Sequence, residues 1–322
     1  MLCRLAWVLL LAALWAFGRG ASAQPVPQPS LEQQLLHWQS LQSVTSYQGS
    51  FVYERTGVFS THQVWRKALG NSRYRERFLR LNGSRLEALS EDGQLLCITR
   101  TGDDPASVAW HTSLSSLQRL ELKHLADSYE TQYLGPGRVA DRATMAVLFA
   151  PRDTYRYPLE IHFDQDTGVV LKSMLLNEQG ELLERFQFVT FATSPLDDMQ
   201  LQVNGCQPLA LVESAPAQGP EWQAEWIPSG FAPVSSDPLR HAGVSNQLFF
   251  DGLAHFSVFV ARQDGEANAM EHRQLGPTVV ISRPLAANGE EYRVTVLGEI
   301  PVATAQRIAL SISLDLGVES DD

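Results

Sequence analysis

Apolar and polar positions alternate at the start of residues 157–191, the most informative stretch of the chain. Leu159, Ile161 and Phe163 alternate with polar residues, and this period of two predicts a strand with one buried face. Two further apolar stretches follow, and a short polar segment with a glycine precedes each of them. Such segments favour tight turns, so we predict three antiparallel strands rather than the buried parallel strands of an α/β enzyme.

The second of these strands is apolar on both faces, unlike an ordinary half-buried strand. Its alternate positions form two rows, Val169, Leu171 and Leu175 on one face and Val170, Met174 and Leu176 on the other. Two explanations remain open. Either the sheet lies between helices, or it is curved and holds an apolar ligand against one of these rows.

Similar patterns predict a β-rich first domain that opens with one helix. Residues 31–41 carry apolar side chains at helical spacing. Strands follow in quick succession, most of them separated by turn residues that tolerate a positive φ: 47–55, 61–69, 73–81, 85–90 and 94–99. Residues 102–128 interrupt this meander, and Leu114, Leu117 and Leu120 predict a helix there that covers one mouth of the sheet.

A second domain is predicted beyond residues 212–220, which read VESAPAQGP and lack apolar periodicity. It contains two hairpins, around Asp251-Gly252 and Asn288-Gly289, and a helix from Pro301. The predicted fold class is α+β, with an antiparallel sheet and helices linked to a smaller α+β domain. The predicted bounds are 1–23 for a signal peptide, 24–211 for the first domain, 212–221 for a linker, 222–317 for the second domain and 318–322 for an acidic tail.

The N-terminus has the three parts of a cleavable export signal. Arg4 precedes an apolar run at residues 5–17, and Ala21-Ser22-Ala23 forms a small-residue cleavage site. The run is shorter than the roughly 18 apolar residues that a membrane helix needs. We therefore expect an exported mature chain that begins near Gln24.

Charge and cysteine content restrict the partners and leave one question open. The formal net charge is −11, and such an acidic chain is a poor partner for nucleic acid. Cys97 and Cys206 remain after removal of the signal. In an oxidising compartment they either form a disulfide that closes a long loop, or they are two buried small residues.

A basic segment at residues 66–85 contrasts with this balance, because it contains seven Lys or Arg residues and one acid. Arg73, Arg75 and Arg77 alternate there, so a strand would place all three on one face, and we call them the arginine row. Guanidinium groups in a row suit the phosphates or carboxylates of a ligand. A solvated, charged strand face is an equally good explanation.

Sequence motifs of enzyme chemistry are missing. The eight histidines show none of the spacings of a local zinc site, and we predict isolated surface histidines. No Gly-x-Ser-x-Gly nucleophile motif occurs. The segment GPGRVA at residues 135–140 matches a dinucleotide-binding pattern only formally, since Pro136 stiffens its turn and a strand is predicted after it. We predict no catalytic residues, no metal and no cofactor.

Five segments spread over nearly the whole mature chain resemble the MucB/RseB family. They are GRVADRATMAVLF at residues 137–149, the strand region at 157–188, WIPSGF at 226–231, LFFDGLAHFSVFVAR at 248–262 and VLGEIPVATAQRIA at 296–309. The resemblance implies a first domain like the lipoprotein carriers LolA and LolB, in which helices cover the open side of a half-barrel sheet. It also implies a periplasmic negative regulator of the sigma-E envelope-stress pathway, which controls alginate production in some bacteria.

The partner that the resemblance implies is the periplasmic region of a membrane anti-sigma factor of the MucA/RseA type. The family protein shields this region from the site-1 protease, and lipid or lipopolysaccharide releases it. The chain would then meet the membrane only through its partner. The oligomeric state stays open, including a homodimer.

The residues themselves suggest where these ligands bind. For the lipid cavity we predict Phe51, Tyr53, Trp65, Leu171, Met174, Phe186 and Phe188, and for an anionic head group the arginine row. For the partner we predict Trp226, Phe231, Phe249, Phe250 and Phe256. Alternating aromatic residues along strands are also the pattern of an ordinary core, so packing remains an alternative for both sets.

Two other classes of function fit the sequence less well. A lipid or lipoprotein carrier would use the same apolar sheet, but it has no need of a linked second domain. An exported hydrolase would need a nucleophile or metal motif, and the sequence has neither.

Overall fold

The computed structural model describes residues in both predicted domains. Its ranges are 30–55, 57–100, 122–208, 221–234, 243–263, 269–287 and 289–314. The predicted signal peptide, the predicted linker except Glu221, the predicted acidic tail and the helix predicted from Leu114, Leu117 and Leu120 lie outside these ranges. Within them, no helix combines the length and apolar character needed to cross a bilayer.

The first domain is built on one eleven-stranded antiparallel sheet. Its strands are β1 Tyr47–Arg55, β2 Val58–Gly70, β3 Arg73–Arg80, β4 Leu86–Glu91, β5 Gln94–Arg100, β6 Tyr129–Val139, β7 Arg142–Pro151, β8 Leu159–Asp164, β9 Val170–Leu176, β10 Leu182–Thr193 and β11 Gln207–Pro208. Their spatial order is β11-β5-β4-β3-β2-β1-β10-β9-β8-β7-β6. Two meanders, β1–β5 and β6–β10, are therefore joined where β1 pairs with β10.

This sheet curves strongly toward one face. The Arg142 guanidinium of β7 lies 6.0 Å from the ring centroid of Phe191 in β10, although β8 and β9 lie between these two strands. In a flat sheet, a spacing of about 4.8 Å per strand would separate the two backbones by about 14 Å. The curvature encloses a common interior, and we call the face with Phe51 the concave face. The predicted curved antiparallel sheet is confirmed.

Helix α1, Leu31–Val44, packs on the concave face. Its first turn has a capping box, because Ser30 Oγ accepts from the Gln33 N–H and Gln33 Oε1 accepts from the Ser30 N–H. Trp38 is buried in the helix and stacks on Phe163 of β8, with 5.3 Å between ring centroids. The short helix α2, Leu122–Ser128, joins the same buried cluster through Leu125.

The second domain is a smaller antiparallel sheet covered by one helix, which confirms the predicted α+β unit. Its elements are β12 Trp222–Ala224, β13 Ala232–Val234, β14 Val244–Phe250, β15 His255–Arg262, β16 Glu271–Leu275, β17 Thr278–Ala287, β18 Glu290–Gly298, α3 Val302–Ser311 and β19 Ile312–Leu314. Six strands pair in the order β13-β14-β15-β18-β17-β16, and β12 pairs separately with β19. Ala305, Ile308 and Ala309 of α3 are fully buried against this sheet. Both predicted hairpins are present.

Cys97 and Cys206 form a disulfide, with 5.5 Å between their Cα atoms. Strand pairing explains their approach, because Cys97 of β5 lies opposite Pro208 of β11 in the sheet. Of the two alternatives that the sequence leaves open, the disulfide is correct. It ties the chain directly before β11 to strand β5.

Candidate functional site: the concave face and the domain contact

Five of the residues predicted for a lipid cavity meet on the concave face. We call them the concave cluster: Phe51, Tyr53, Leu171, Phe186 and Phe188, each 5% exposed or less. The rings of Phe51 and Phe186 lie 4.9 Å apart, and those of Phe186 and Phe188 lie 5.3 Å apart at right angles. Such distances are those of favourable aromatic pairs, so the cluster is a well-packed apolar core on this face of the sheet.

Trp65 and Met174 do not join this cluster. Residues opposite each other on paired antiparallel strands point to the same face of the sheet. Trp65 lies opposite Arg77, and Met174 lies opposite Glu160 and Arg185. Both side chains are only half-buried and lie on the convex face, so they do not line one cavity with Phe51. The alternation of β2 and β9 explains this, because odd and even positions of one strand face opposite sides.

The bulge in β9 answers the question of which apolar row faces inward. The register shifts between β8 and β9 next to Val170, which lets Val170 and Leu171 both be buried. Val169 and Leu171 belong to the buried group around Phe51, whereas Val170 belongs to the group beneath α1. Val170 and Leu171 therefore both face the concave side near the start of β9, whereas Met174 further along the strand faces the convex side.

Polar side chains are also buried on the concave face. Arg66 Nη1 donates to Glu76 Oε1 at 3.1 Å, and its guanidinium lies 3.5 Å from the Tyr74 ring centroid. His62 stacks on Phe51 at 5.0 Å and shares a hydrogen bond of 2.8 Å with Ser60. The prediction of surface histidines is wrong for His62, because the alternation of β2 turns it inward.

Burial determines the charge state of His62. Removal from water, and then the nearby charge of Arg80, lower the pKa of His62 to about 3. The imidazole is therefore neutral at the pH of ordinary growth. A neutral ring can pack face to face with Phe51 without the cost of a buried charge.

A polar cavity of about 550 Å³ lies at the edge of the concave face, between α1 and the β2–β3 part of the sheet. Leu36 and Gln42 of α1 line one side, and Arg66 and Tyr74 line the other. Gly168 holds α1 close to the sheet elsewhere, since a Cβ at this position would overlap the Trp38 carbonyl oxygen. The helix is thus seated tightly at Gly168 and leaves space near Arg66.

The arginine row lies on the convex face, as its alternation predicts, while Tyr74, Glu76 and Phe78 are buried. Its guanidinium groups already have carboxylate partners on or next to β4: Arg73 pairs with Glu91 and Asp92, Arg75 with Glu91 and Arg77 with Glu87. The Arg77 guanidinium also lies 4.7 Å from the Trp65 ring centroid. An anionic ligand at this row would compete with these carboxylates.

The aromatic residues predicted for the partner divide between a core and the domain contact. Phe231 and Phe249 each lie 5.0 Å from Phe256, and all three are buried in the second domain. Phe250 is half-buried on β14. Trp226 lies between the domains, with the Arg307 guanidinium 3.9 Å from its ring centroid and Tyr155 of the first domain 5.1 Å away.

A buried ion pair joins the two domains at this contact. Arg156, between β7 and β8, donates from Nε to Asp251 Oδ2 at 2.6 Å, and both side chains are 0% exposed. Tyr129 Oη donates to the same carboxylate oxygen at 3.1 Å. Arg156 also donates to the Ser229 carbonyl, and its guanidinium lies 4.7 Å from the Phe231 ring centroid. These groups satisfy two charges that would otherwise be costly to bury.

The sequence contained only a weak signal for this contact. Asp251 precedes Gly252 and predicts a turn, and its Oδ1 does accept from the N–H groups of Leu253 and Ala254 as a turn aspartate does. Nothing in the spacing shows that its second oxygen binds Arg156, which lies 95 residues away. Long-range ion pairs of this kind require the tertiary structure.

Comparison with known proteins covers both domains. The family described as "MucB/RseB N-terminal domain" matches residues 30–209, and "MucB/RseB C-terminal domain" matches residues 216–313. The chain is 40% identical over 279 residues to the Pseudomonas aeruginosa "Sigma factor AlgU regulatory protein MucB", which covers 83% of this chain and 85% of that protein. It is 29% identical over 308 residues to the Escherichia coli K12 "Sigma-E factor regulatory protein RseB", covering 92% and 93%.

Solved structures give a similar result. A crystal structure of MucB in complex with MucA(peri) matches with a TM-score of 0.73 and 38% identity, covering 87% of this chain and 97% of that one. A Pseudomonas aeruginosa MucA/MucB complex matches with a TM-score of 0.73 and 37% identity, covering 88% and 98%. The two family matches together extend over both sheets. This chain belongs to the MucB/RseB family of sigma factor regulatory proteins.

Proposed function

We propose that this chain is a periplasmic regulator that binds the periplasmic region of a MucA/RseA-type anti-sigma factor and protects it from the site-1 protease. Through this protection it restrains the envelope-stress response. The observation that carries the proposal is the match of both domains to MucB crystallised with the MucA periplasmic region. The export signal predicted at residues 1–23 supports the same compartment.

The partner surface is expected on the second domain and at its contact with the first. Trp226 supports this location, since it is the half-buried member of the predicted set that touches both domains. A neighbouring cavity of about 560 Å³ contains Trp222, Ile227 and Phe249 in its wall. Aromatic side chains in such pockets commonly dominate binding energy in protein interfaces.

The test is a protection assay with purified components. The mature chain is titrated against the MucA periplasmic region, binding is measured by calorimetry, and cleavage of that region by the site-1 protease is followed. We expect saturable binding and loss of cleavage at the same concentration. Undiminished cleavage at saturating protein would overturn the proposal.

We further propose that lipid or lipopolysaccharide binds the first domain and releases the partner. The concave cluster supports this proposal, because an acyl chain gains about 0.8 kcal/mol for each CH₂ group that it buries. Burial of about ten such groups would supply roughly 8 kcal/mol before ordering costs. A ligand can displace the partner only if it binds the released state more tightly than the bound state.

The arginine row provides a test of the head-group prediction. Arg73, Arg75 and Arg77 are changed together to Gln, and Arg138, which is exposed near the end of β6, is changed to Gln as a control. We expect the triple variant to need more lipopolysaccharide for release and to lose salt dependence, while partner binding is retained. Release equal to that of the control would assign the row to a solvated surface.

A further inference from the structure

Helix α1 presents polar side chains to the cavity near Arg66, where a cover for the sheet would need apolar ones. Four residues of the helix line this cavity: Gln39, Ser40, Gln42 and Ser43. They cluster because residues three and four positions apart share one face of a helix. Leu35 and Trp38, on the neighbouring face, are buried in the core. A helix that only covers a sheet turns apolar residues toward it, so the polar face requires another explanation.

The helix wall of the cavity offers mainly acceptors. Ser40 Oγ donates to the His37 carbonyl at 2.6 Å, and Ser43 Oγ donates to the Ser40 carbonyl at 2.7 Å. Both hydroxyl protons are therefore used within the helix, while the lone pairs of the two oxygens can still accept. Gln42 lies in the same wall and is 6% exposed, and its amide can both donate and accept.

The sheet wall of the cavity offers donors from Arg66. This side chain is 2% exposed, and its Nη1 donates to Glu76 Oε1. Its Nε has no hydrogen-bond partner in the described part of the chain. Because a guanidinium carries five N–H groups in fixed directions, Arg66 has donor capacity beyond its contact with Glu76.

The charges around the cavity cancel in pairs. Arg66 is paired with Glu76, and Asp92 in the sheet wall accepts from Arg73 Nε at 3.1 Å. An anionic ligand would lie beside the Asp92 carboxylate, while the guanidinium that could attract it is already neutralised. An uncharged ligand meets no such repulsion. Hydroxyl groups suit these walls, because each can donate to an oxygen of one wall and accept from an N–H group of the other.

We propose that this cavity binds an uncharged saccharide between α1 and the β2–β3 hairpin. A saccharide carries several hydroxyl groups on a small ring, which matches two polar walls that offer acceptors and donors. The volume of about 550 Å³ lies within the roughly 300 to 1,000 Å³ of small-molecule sites. The described walls share no residue with the concave cluster, so the site is separate from the proposed lipid surface. Saccharide binding here does not depend on the proposed function.

Saturation-transfer NMR with the mature chain tests the site. The probes are the methyl glycosides of glucose, mannose and N-acetylglucosamine, with glucose 6-phosphate as the charged comparison. We expect at least one methyl glycoside to bind saturably, with a dissociation constant on the order of 1 mM, and glucose 6-phosphate to bind more weakly. Tighter binding of the phosphate ester, or no saturable binding of any methyl glycoside, would overturn the proposal.

Substitutions on α1 locate the bound saccharide. Gln42→Leu removes the amide and keeps a side chain of similar size, and Ser43→Phe fills part of the cavity. We expect each to weaken methyl glycoside binding by about tenfold, comparable to the loss of one or two hydrogen bonds. Gln34→Leu is the matched control, because Gln34 lies on the same helix but not in the cavity wall.

Circular dichroism shows which of these variants are folded. If the folded cavity variants bind methyl glycosides as tightly as Gln34→Leu, the saccharide binds elsewhere and the site is wrong. Where a cavity variant does not fold, the comparison of charged and uncharged probes on the wild type decides.

Two further measurements separate the source of the saccharide and the proposed function. Octyl glucoside, kept below its critical micelle concentration, is compared with methyl glucoside. A gain in affinity that disappears in Gln42→Leu assigns the site to the sugar of a glycolipid, and equal affinities assign it to a free saccharide; both results support the site. Binding of the MucA periplasmic region is measured on the same samples. Saccharide binding without MucA binding would contradict only the proposed function, and the reverse would contradict only the saccharide site.

Discussion

His62 shows how one buried side chain acquires properties that its sequence position does not reveal. It is fully buried on the concave face and stacks on Phe51. Its pKa is lowered to about 3 by burial, with a smaller effect of Arg80. The residue is neutral when folded, whereas in the unfolded chain its pKa returns to about 6.5. The folded state therefore binds fewer protons than the unfolded state below that pH.

The consequence for stability has a definite sign. Below about pH 6.5, His62 binds a proton in the unfolded chain but not in the folded chain. The free energy of unfolding therefore falls as the pH drops below about 6.5 and continues to fall toward pH 3. We expect His62 to account for a loss of about 2 kcal/mol between pH 7 and pH 5. His62→Asn should flatten the pH dependence of urea unfolding over that range.

The control for this prediction is another histidine of the same chain. His272 is exposed on the edge strand β16, and His272→Asn should leave the slope unchanged. Equal slopes for wild type and His62→Asn would contradict a buried neutral histidine.

At the scale of elements, the seating of α1 depends on a turn glycine. Gly168 has φ of +70°, and a Cβ there would overlap the Trp38 backbone. Gly180 has φ of +79° in the next hairpin and no atom within 4 Å of a Cβ. The two glycines therefore share a backbone requirement but differ in contact with the helix.

Alanine substitutions separate these two effects. Both variants place an alanine in the left-handed backbone conformation, which destabilises the fold by about 1 to 2 kcal/mol. Gly168→Ala should cost a further 1 to 3 kcal/mol, roughly the range for overpacking, because it displaces α1. Urea unfolding of both variants measures the difference. Equal losses would show that α1 is not held at this point.

The predicted strands agree with the structure where one face is buried and the other is not. Strand β1 alternates buried and half-buried residues along its length, and its predicted bounds match those observed. Strand β16 was not predicted, because its five residues are all exposed and show no apolar period. Strands β12 and β19 were missed for a different reason. Each has three residues, and they form a sheet only because the chain returns to pair them.

At the scale of the whole molecule, the domain contact relies on charge as well as apolar packing. Arg156 and Asp251 are both fully buried, and burial opposes the charge of Arg156 while Asp251 and Asp153 favour it, so its pKa is raised. Removal of one partner from such a pair leaves an uncompensated charge and typically costs about 3 to 5 kcal/mol. The relative position of the domains therefore depends on this pair.

Asp251→Asn tests this dependence with little change in size. We expect the wild type to unfold in a single transition, and Asp251→Asn to unfold at a lower temperature in two transitions, one for each domain. Differential scanning calorimetry measures both effects. Asp141→Asn is the control, since Asp141 pairs with Arg138 at a surface where its side chain is 81% exposed. A single transition at the wild-type temperature in Asp251→Asn would show that apolar contacts alone hold the domains.

The sequence by itself determined the features that arise from local order. Strand periodicity, turn residues and the composition break near residue 212 predicted two domains and an antiparallel sheet, because the folded chain must bury its apolar rows. The curved half-barrel was predicted only by the family resemblance. The resemblance to the MucB/RseB family added the prediction that the chain is a regulator of sigma factors.

Only the tertiary structure decided which residues meet. It placed Phe51, Tyr53 and Phe186 together, turned Trp65 and Met174 to the opposite face, and joined Cys97 to Cys206. It also brought Arg55 and Arg156 to carboxylates of the second domain. Sheet curvature, strand register and domain docking create these contacts, and none of them follows from spacing along the chain.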